Sequence, residues 1–166
     1  MEPDHTALPY VITNLTAIAL VVSAMLWPTV SRLFLSAIFI GASAFNLVNS
    51  FVNPSSYLEL GEFAEAELYR SFVLGPFSSN VTLFVSIIAI CQLFIGVFIS
   101  YRGKLMRVAM AGGIIFLIGI SPLDYGAAFP APMIMALALG ILLFRHIQYS
   151  IFEIIFPDKN YSKETS

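Results

Sequence analysis

Three carboxamides are the side chains best placed to do chemistry in this sequence. Asn46 and Asn49 stand three residues apart in "SAFNLVNS", and Gln92 stands in "AICQLF". Residues three apart share a helical face. Each carboxamide can both donate and accept hydrogen bonds. Between helices, such groups either bridge one helix to the next or line a polar pocket. That pocket would take a headgroup, a quinone ring, a lipid or another small ligand. A second set, Glu67, Arg70 and Asp124, could meet on an outer face, although Asp124 in "SPLDYGAAFPAP" reads first as a turn residue beside Gly126.

Other chemistry finds little to work with. His5 and His146 fall at opposite ends of the predicted topology, so they cannot share a metal. Cys91 is the single cysteine; that excludes an internal disulfide, a paired redox motif and a zinc cluster. It is expected mid-span, buried and inert. No HExxH, GxSxG, P-loop or GxGxxG pattern occurs. The Asn14, Asn80 and Asn160 triplets match a glycosylation pattern by chance. A net charge of −2 gives no reason to expect nucleic-acid binding. No ionisable residue falls at the centre of an apolar run, which argues against a pump or an ion-coupled transporter.

The elements that must hold these residues follow from composition. The 166 residues are 58% hydrophobic and 11% charged, where soluble domains carry about 25% charged residues. Hydrocarbon is the solvent that suits such a chain. Five apolar runs approach the length of about 20 residues that a spanning helix needs: 7–27, 33–52, 81–101, 105–121 and 129–147. Pro28 closes the first run. Pro130 and Pro132 suit the first turn of the last. The acidic start "MEPDHTALPY" lacks the basic opening of a secretory signal, so the first run is read as retained. Small pairs at Ala37/Gly41, Ala109/Gly113 and Ala136/Gly140 would let helices approach closely.

The segment between the second and third runs has its own pattern. Ser56 followed by Glu59 is a capping box. Leu60, Ala64, Leu68 and Phe72 recur every four residues, and Gly75-Pro76 ends the pattern. An amphipathic helix over 56–72 is expected to lie on the outer interface, as a lid or a docking site. In the C-terminal segment Ile147, Ile151, Ile154 and Ile155 form an apolar stripe, and the tail 157–166 is expected to be disordered.

Charge sets the orientation. Arg102, Lys104 and Arg107 crowd the break between the third and fourth runs. Cytoplasmic loops are enriched in such residues. Placing this break inside puts Arg32, Arg102, Lys104, Arg107, Arg145, Lys159 and Lys163 inside, seven of the eight basic residues. Tyr10, Trp27, Tyr57, Tyr101 and Tyr149 fall near the boundaries, where amphipathic rings sit well. The N-terminus is then outside and the C-terminus cytoplasmic.

The stretch from Ser31 to about His146 resembles the DoxX-like family of small prokaryotic membrane proteins. The resemblance rests on "SRLFLSAIFIGASAFNL", the longer outer segment, and the two helices joined by a basic turn in "AICQLFIGVFISYRGKLMRVAMAGGIIF". It implies a four-helix core in which 7–27 is an extra helix. It also implies a subunit or partner of a quinone-linked oxidoreductase. Gln92 stands where many relatives carry a Glu, so no catalytic residue carries over.

The sequence therefore reads as a single domain, an all-α integral membrane protein of the cell membrane. A four-helix transmembrane core is joined by one extra N-terminal transmembrane helix and an amphipathic outer helix. Its expected role is a subunit or accessory of a larger, redox-linked membrane assembly, with the bilayer and a membrane or extracytoplasmic protein as partners. The alternatives are a small-molecule, quinone or lipid-binding transporter-like protein and a membrane enzyme of unknown reaction. In a background lacking Cys91, cysteines replacing Lys104 and Glu65 should react with an impermeant maleimide from opposite sides of the membrane. Labelling of both from one side refutes the orientation.

Overall fold

The computed structural model describes residues 7–59, 67–123, 129–145, 147 and 149–155. Among them every regular element is helical. The order is α1 (Ala7–Leu26), α2 (Pro28–Val52), α3 (Glu67–Phe72), α4 (Val81–Ile99), α5 (Lys104–Ile120), α6 (Ala131–Leu143) and α7 (Ile151–Ile155). Leu8–Leu26, Pro28–Val52 and the run Glu67–Ile99, kinked at Gly75, are long and apolar enough to cross a membrane, and Ala131–Leu143 is a shorter apolar helix. These are marks of a multi-pass membrane protein. Large apolar side chains such as Phe45, Phe51, Leu83, Ile87, Phe94, Val108 and Ile115 point away from the protein. A water-soluble surface rarely gathers so many.

The helices pack as a ring. α1 lies on α2, α2 on α4, α4 on α5, α5 on α6, and α6 returns to α1. Leu35, Phe39, Ile99, Met106, Met110 and Leu139 fill the centre. The tightest contact is the α2–α4 seam. Ser36 Oγ donates to Gly96 O at 2.7 Å, Ser43 Oγ to Ala89 O at 2.6 Å, and Thr82 Oγ1 to Ser50 O at 2.8 Å. Both sides of the seam step by seven residues, in opposite directions. A seven-residue step keeps one stripe facing a partner helix. Small residues let the backbones close: a Cβ on Gly96 would stand 2.8 Å from Ile40 Cγ1 and 3.0 Å from Ser36 O.

Several expectations are corrected here. Pro28 does not sit in a loop; it is the first residue of α2, and Trp27 alone separates α1 from α2. Proline's fixed φ suits that position. The last apolar helix spans 13 residues, Ala131–Leu143, shorter than the expected 129–147. Ala37 and Gly41 face outward, and nothing lies within 4 Å of Gly41. Gly113 does pack, with Leu139 Cδ1 placed 2.9 Å from a Cβ built there, whereas Gly140 meets nothing. As expected, Gly75-Pro76 ends the regular helical pattern: Gly75 adopts a non-helical φ −105° and ψ −106° within the π-helical turn Val73–Phe77, and Ser78 Oγ donates to Gly75 O at 2.7 Å. Cys91 is exposed, because a residue next to the inward-facing Gln92 is rotated about 100° around the helix.

One end of the bundle is tied by Arg32, which is wholly buried. Its Nε and Nη2 donate to Ile99 O, Nη2 also to Ser100 O and Tyr101 O, and Nη1 to Tyr149 O, at 2.6–3.3 Å. All but Tyr149 O are the last carbonyls of α4 and its turn, which lack helical partners; Tyr149 lies just before α7. Gly103 then adopts φ 74° and turns the chain into α5, a conformation glycine enters at no steric cost. Ser150 and Glu153 cap α7 reciprocally, at 2.8 and 3.1 Å. Arg32→Leu should destabilise the protein by about 3 kcal/mol or more in micelles, since charge-assisted hydrogen bonds are worth about 1.5–3 kcal/mol each. Arg32→Lys, which lacks the planar fork, should fall between the two. Denaturation of Arg32→Leu indistinguishable from wild type would refute the role.

Candidate functional site

The site begins within the α2–α4 seam, between its Ser36–Gly96 and Ser50–Thr82 contacts. Asn46 lies one turn beyond Ser43 on α2, and Gln92 lies one turn beyond Ala89 on α4. Asn46 Nδ2 donates to Gln92 Oε1 at 2.8 Å. Tyr57, in a 3-10 turn over Pro54–Tyr57, donates its hydroxyl to Asn46 Oδ1 at 3.1 Å. Phenol and carboxamides thus form one hydrogen-bonded chain running from the turn after α2 toward the middle of α4. In hydrocarbon such polar groups must find partners within the protein, and the sequence supplies all three.

This chain forms one wall of a cavity of about 270 Å³. Asn46, Val85, Ile88 and Gln92 line it from α2 and α4, and Phe116 and Ile120 from α5. Tyr69, Phe72, Val73 and Phe77 cover it from α3 and the π-helical turn. The cover is held by rings. Phe72 meets Phe84 edge-on at 5.7 Å, and Phe77 lies 5.6 Å from Phe84. Val73, Phe77, Val81 and Val85 form a small apolar cluster beneath them. Aside from the polar chain and the Tyr69 phenol, the lining is aliphatic and aromatic. A cavity of about 150 Å³ can hold benzene, so this one has room for a substituted ring. A wider depression of about 750 Å³ beside Ser78, Asn80 and Ser86 is open and contains no buried polar side chain.

The structure brings Asn46 and Gln92 together and leaves Asn49 out. Asn49 Nδ2 donates instead to Ser56 Oγ at 3.1 Å, which secures the turn after α2. Ser56 therefore serves that turn, and its hydroxyl also donates to Asn53 O at 2.8 Å. Glu67 and Arg70 are exposed on α3, where Glu67 Oε1 accepts from Ser71 Oγ at 3.1 Å. Asp124, His5, His146, residues 60–66 of the expected outer helix and the tail 157–166 lie outside the described residues. The expected apolar stripe is rotated: Leu68 is 79% exposed, while Val73 and Phe77 are buried. The sequence reading missed Tyr57 and Tyr69 as lining groups. Tyr57 had been assigned to the interface, and its closeness to Asn46 depends on the sharp turn at Asn53-Pro54. Among the described residues no three His, Cys, Asp or Glu side chains converge as a metal site.

No family model, curated protein or solved structure matches this chain, so the resemblance to the DoxX-like family gains no support from these comparisons. A double-mutant cycle on Asn46→Ala and Gln92→Ala should give a coupling of about 0.6–1.7 kcal/mol, the measured range for polar contacts between membrane helices. Additive effects of the two changes would refute the bridge.

Proposed function

We propose that this chain is a cell-membrane protein with five spans, its N-terminus outside and its C-terminus cytoplasmic. Its cavity binds a small, mainly apolar molecule drawn from the bilayer. It acts as a binding subunit or accessory of a larger membrane assembly. One observation carries the binding role: an apolar cavity whose wall contains a hydrogen-bonded Tyr57–Asn46–Gln92 chain, half-buried at Tyr57 and Asn46 and buried at Gln92. Interhelical glue needs no adjoining space, and a simple packing defect would not expose a polar wall. A few placed polar groups in an otherwise apolar lining are typical of small-molecule sites. The size suits a single substituted ring or one end of a lipid, with any longer tail left in the membrane.

The spans and orientation are supported by the exposed apolar faces and the basic end. At 17 residues, α5 is about 26 Å long, so Lys104 and Arg107 can reach the interface from its first turn.

The test is chemical. The full chain, purified from native membrane in mild detergent, should carry a small organic molecule that solvent extraction releases and mass spectrometry identifies. Ile88→Trp, which places an indole in the cavity, should reduce that load about fivefold or more without changing the protein's elution as a folded species. An equal load in Ile88→Trp and wild type would overturn the assignment of the cavity.

A further inference from the structure

The hydrogen-bonded chain in the cavity wall has a direction, and it ends on a donor. Tyr57 gives its proton to Asn46 Oδ1, and Asn46 Nδ2 gives one to Gln92 Oε1. Both carboxamide oxygens are thereby engaged. Gln92 Nε2, with two N–H bonds, makes no hydrogen bond among the described residues. Gln92 is nonetheless only 5% exposed. Every fully enclosed side-chain nitrogen or oxygen among the described residues has a partner, so Nε2 is not enclosed. Gln92 lines the cavity together with Ile88, Phe116 and Ile120, and that is the space an unpartnered Nε2 can reach. A donor left unpaired in such surroundings is costly. Among the described residues no charged side chain lines the cavity, so a charged ligand would lose its hydration without compensation.

We infer that the molecule in this cavity is a neutral carbonyl compound, a ketone or an ester, whose oxygen accepts a hydrogen bond from Gln92 Nε2. This inference rests on the binding role proposed above and names the chemical class. The rings and aliphatic side chains take the apolar body of the ligand, and the amide fixes the position of its oxygen. The outer tyrosine holds Asn46, and Asn46 holds Gln92 in the orientation that directs Nε2 into the cavity. Hydrocarbon of the same shape fills the space but leaves the donor unpaired.

Benzophenone and diphenylmethane form a matched pair, differing by one carbonyl oxygen, and benzophenone also cross-links on irradiation. In the full-length protein in nanodiscs, benzophenone should label the cavity wall saturably. Against radiolabelled benzophenone, diphenylmethane, corrected for partition into lipid, should compete about tenfold more weakly than unlabelled benzophenone, the worth of one hydrogen bond. In Gln92→Leu the two competitors should become equal. The wild-type comparison stands alone if that variant does not fold. Saturable labelling of the wall with equal competition in wild type overturns the carbonyl preference and leaves the binding role intact. The absence of saturable labelling at the wall overturns both.

Discussion

A guanidinium with no carboxylate beside it among the described residues holds the end of this bundle together. Arg32 is buried at the start of α2 and donates to the carbonyls that end α4 and to Tyr149. A helix C-terminus carries partial negative charge, and its last carbonyls cost several kcal/mol if left unpaired in hydrocarbon. The arginine meets both demands at once. By fixing the end of α4 against the start of α2, it also sets the register of the serine seam. Ser36 and Ser100 meet at 2.9 Å beside it. Farther along the same seam, that register decides that Asn46 meets Gln92. Packing at one end of the molecule thus positions the polar chain toward the other.

Arg145 repeats the device on a smaller scale, donating to Met25 O at 2.6 Å at the end of α1. Lys104 and Arg107 behave differently. They occupy the first turn of α5, where the helix dipole disfavours cations by about 0.3–1 kcal/mol. An anionic membrane surface attracts each basic residue near it by about 1 kcal/mol, which offsets that penalty. The exposed Arg102–Glu153 pair at 3.2 Å adds little, as surface pairs generally do. The basic residues therefore divide into arginines that complete helix ends, Arg32 buried and Arg145 exposed, and exposed cations on the first turn of α5.

Much of the architecture was legible because apolar run lengths reflect the solvent directly. Inward faces were far less legible. When lipid replaces water, both sides of a helix are apolar, and hydropathy no longer separates core from surface. Ala37 and Gly41 looked like a packing pair and face out, whereas Ser36, Ser43 and Ser50 form the real contact. Their seven-residue spacing was visible in the sequence, as was the spacing of Thr82, Ala89 and Gly96. Arg32 was counted as a loop charge because Pro28 was taken for a terminator. Asn46 and Gln92 stood out because a carboxamide within an apolar run is rare whichever way it faces. Tyr57 did not, since aromatic residues near boundaries are common and only the folded turn shows this one reaching Asn46.

The shortness of α6 has a mechanical consequence. Thirteen residues make a rod of about 20 Å, against about 37 Å for the twenty-five of α2. A hydrocarbon layer of about 30 Å matches neither. The long rod can tilt; under the proposed five-span arrangement the short one would oblige lipids beside it to thin or irregular backbone to enter their layer. Such a lopsided fit would make the tilt of the bundle respond to bilayer thickness, so the same chain would sit differently in thin and in thick membranes.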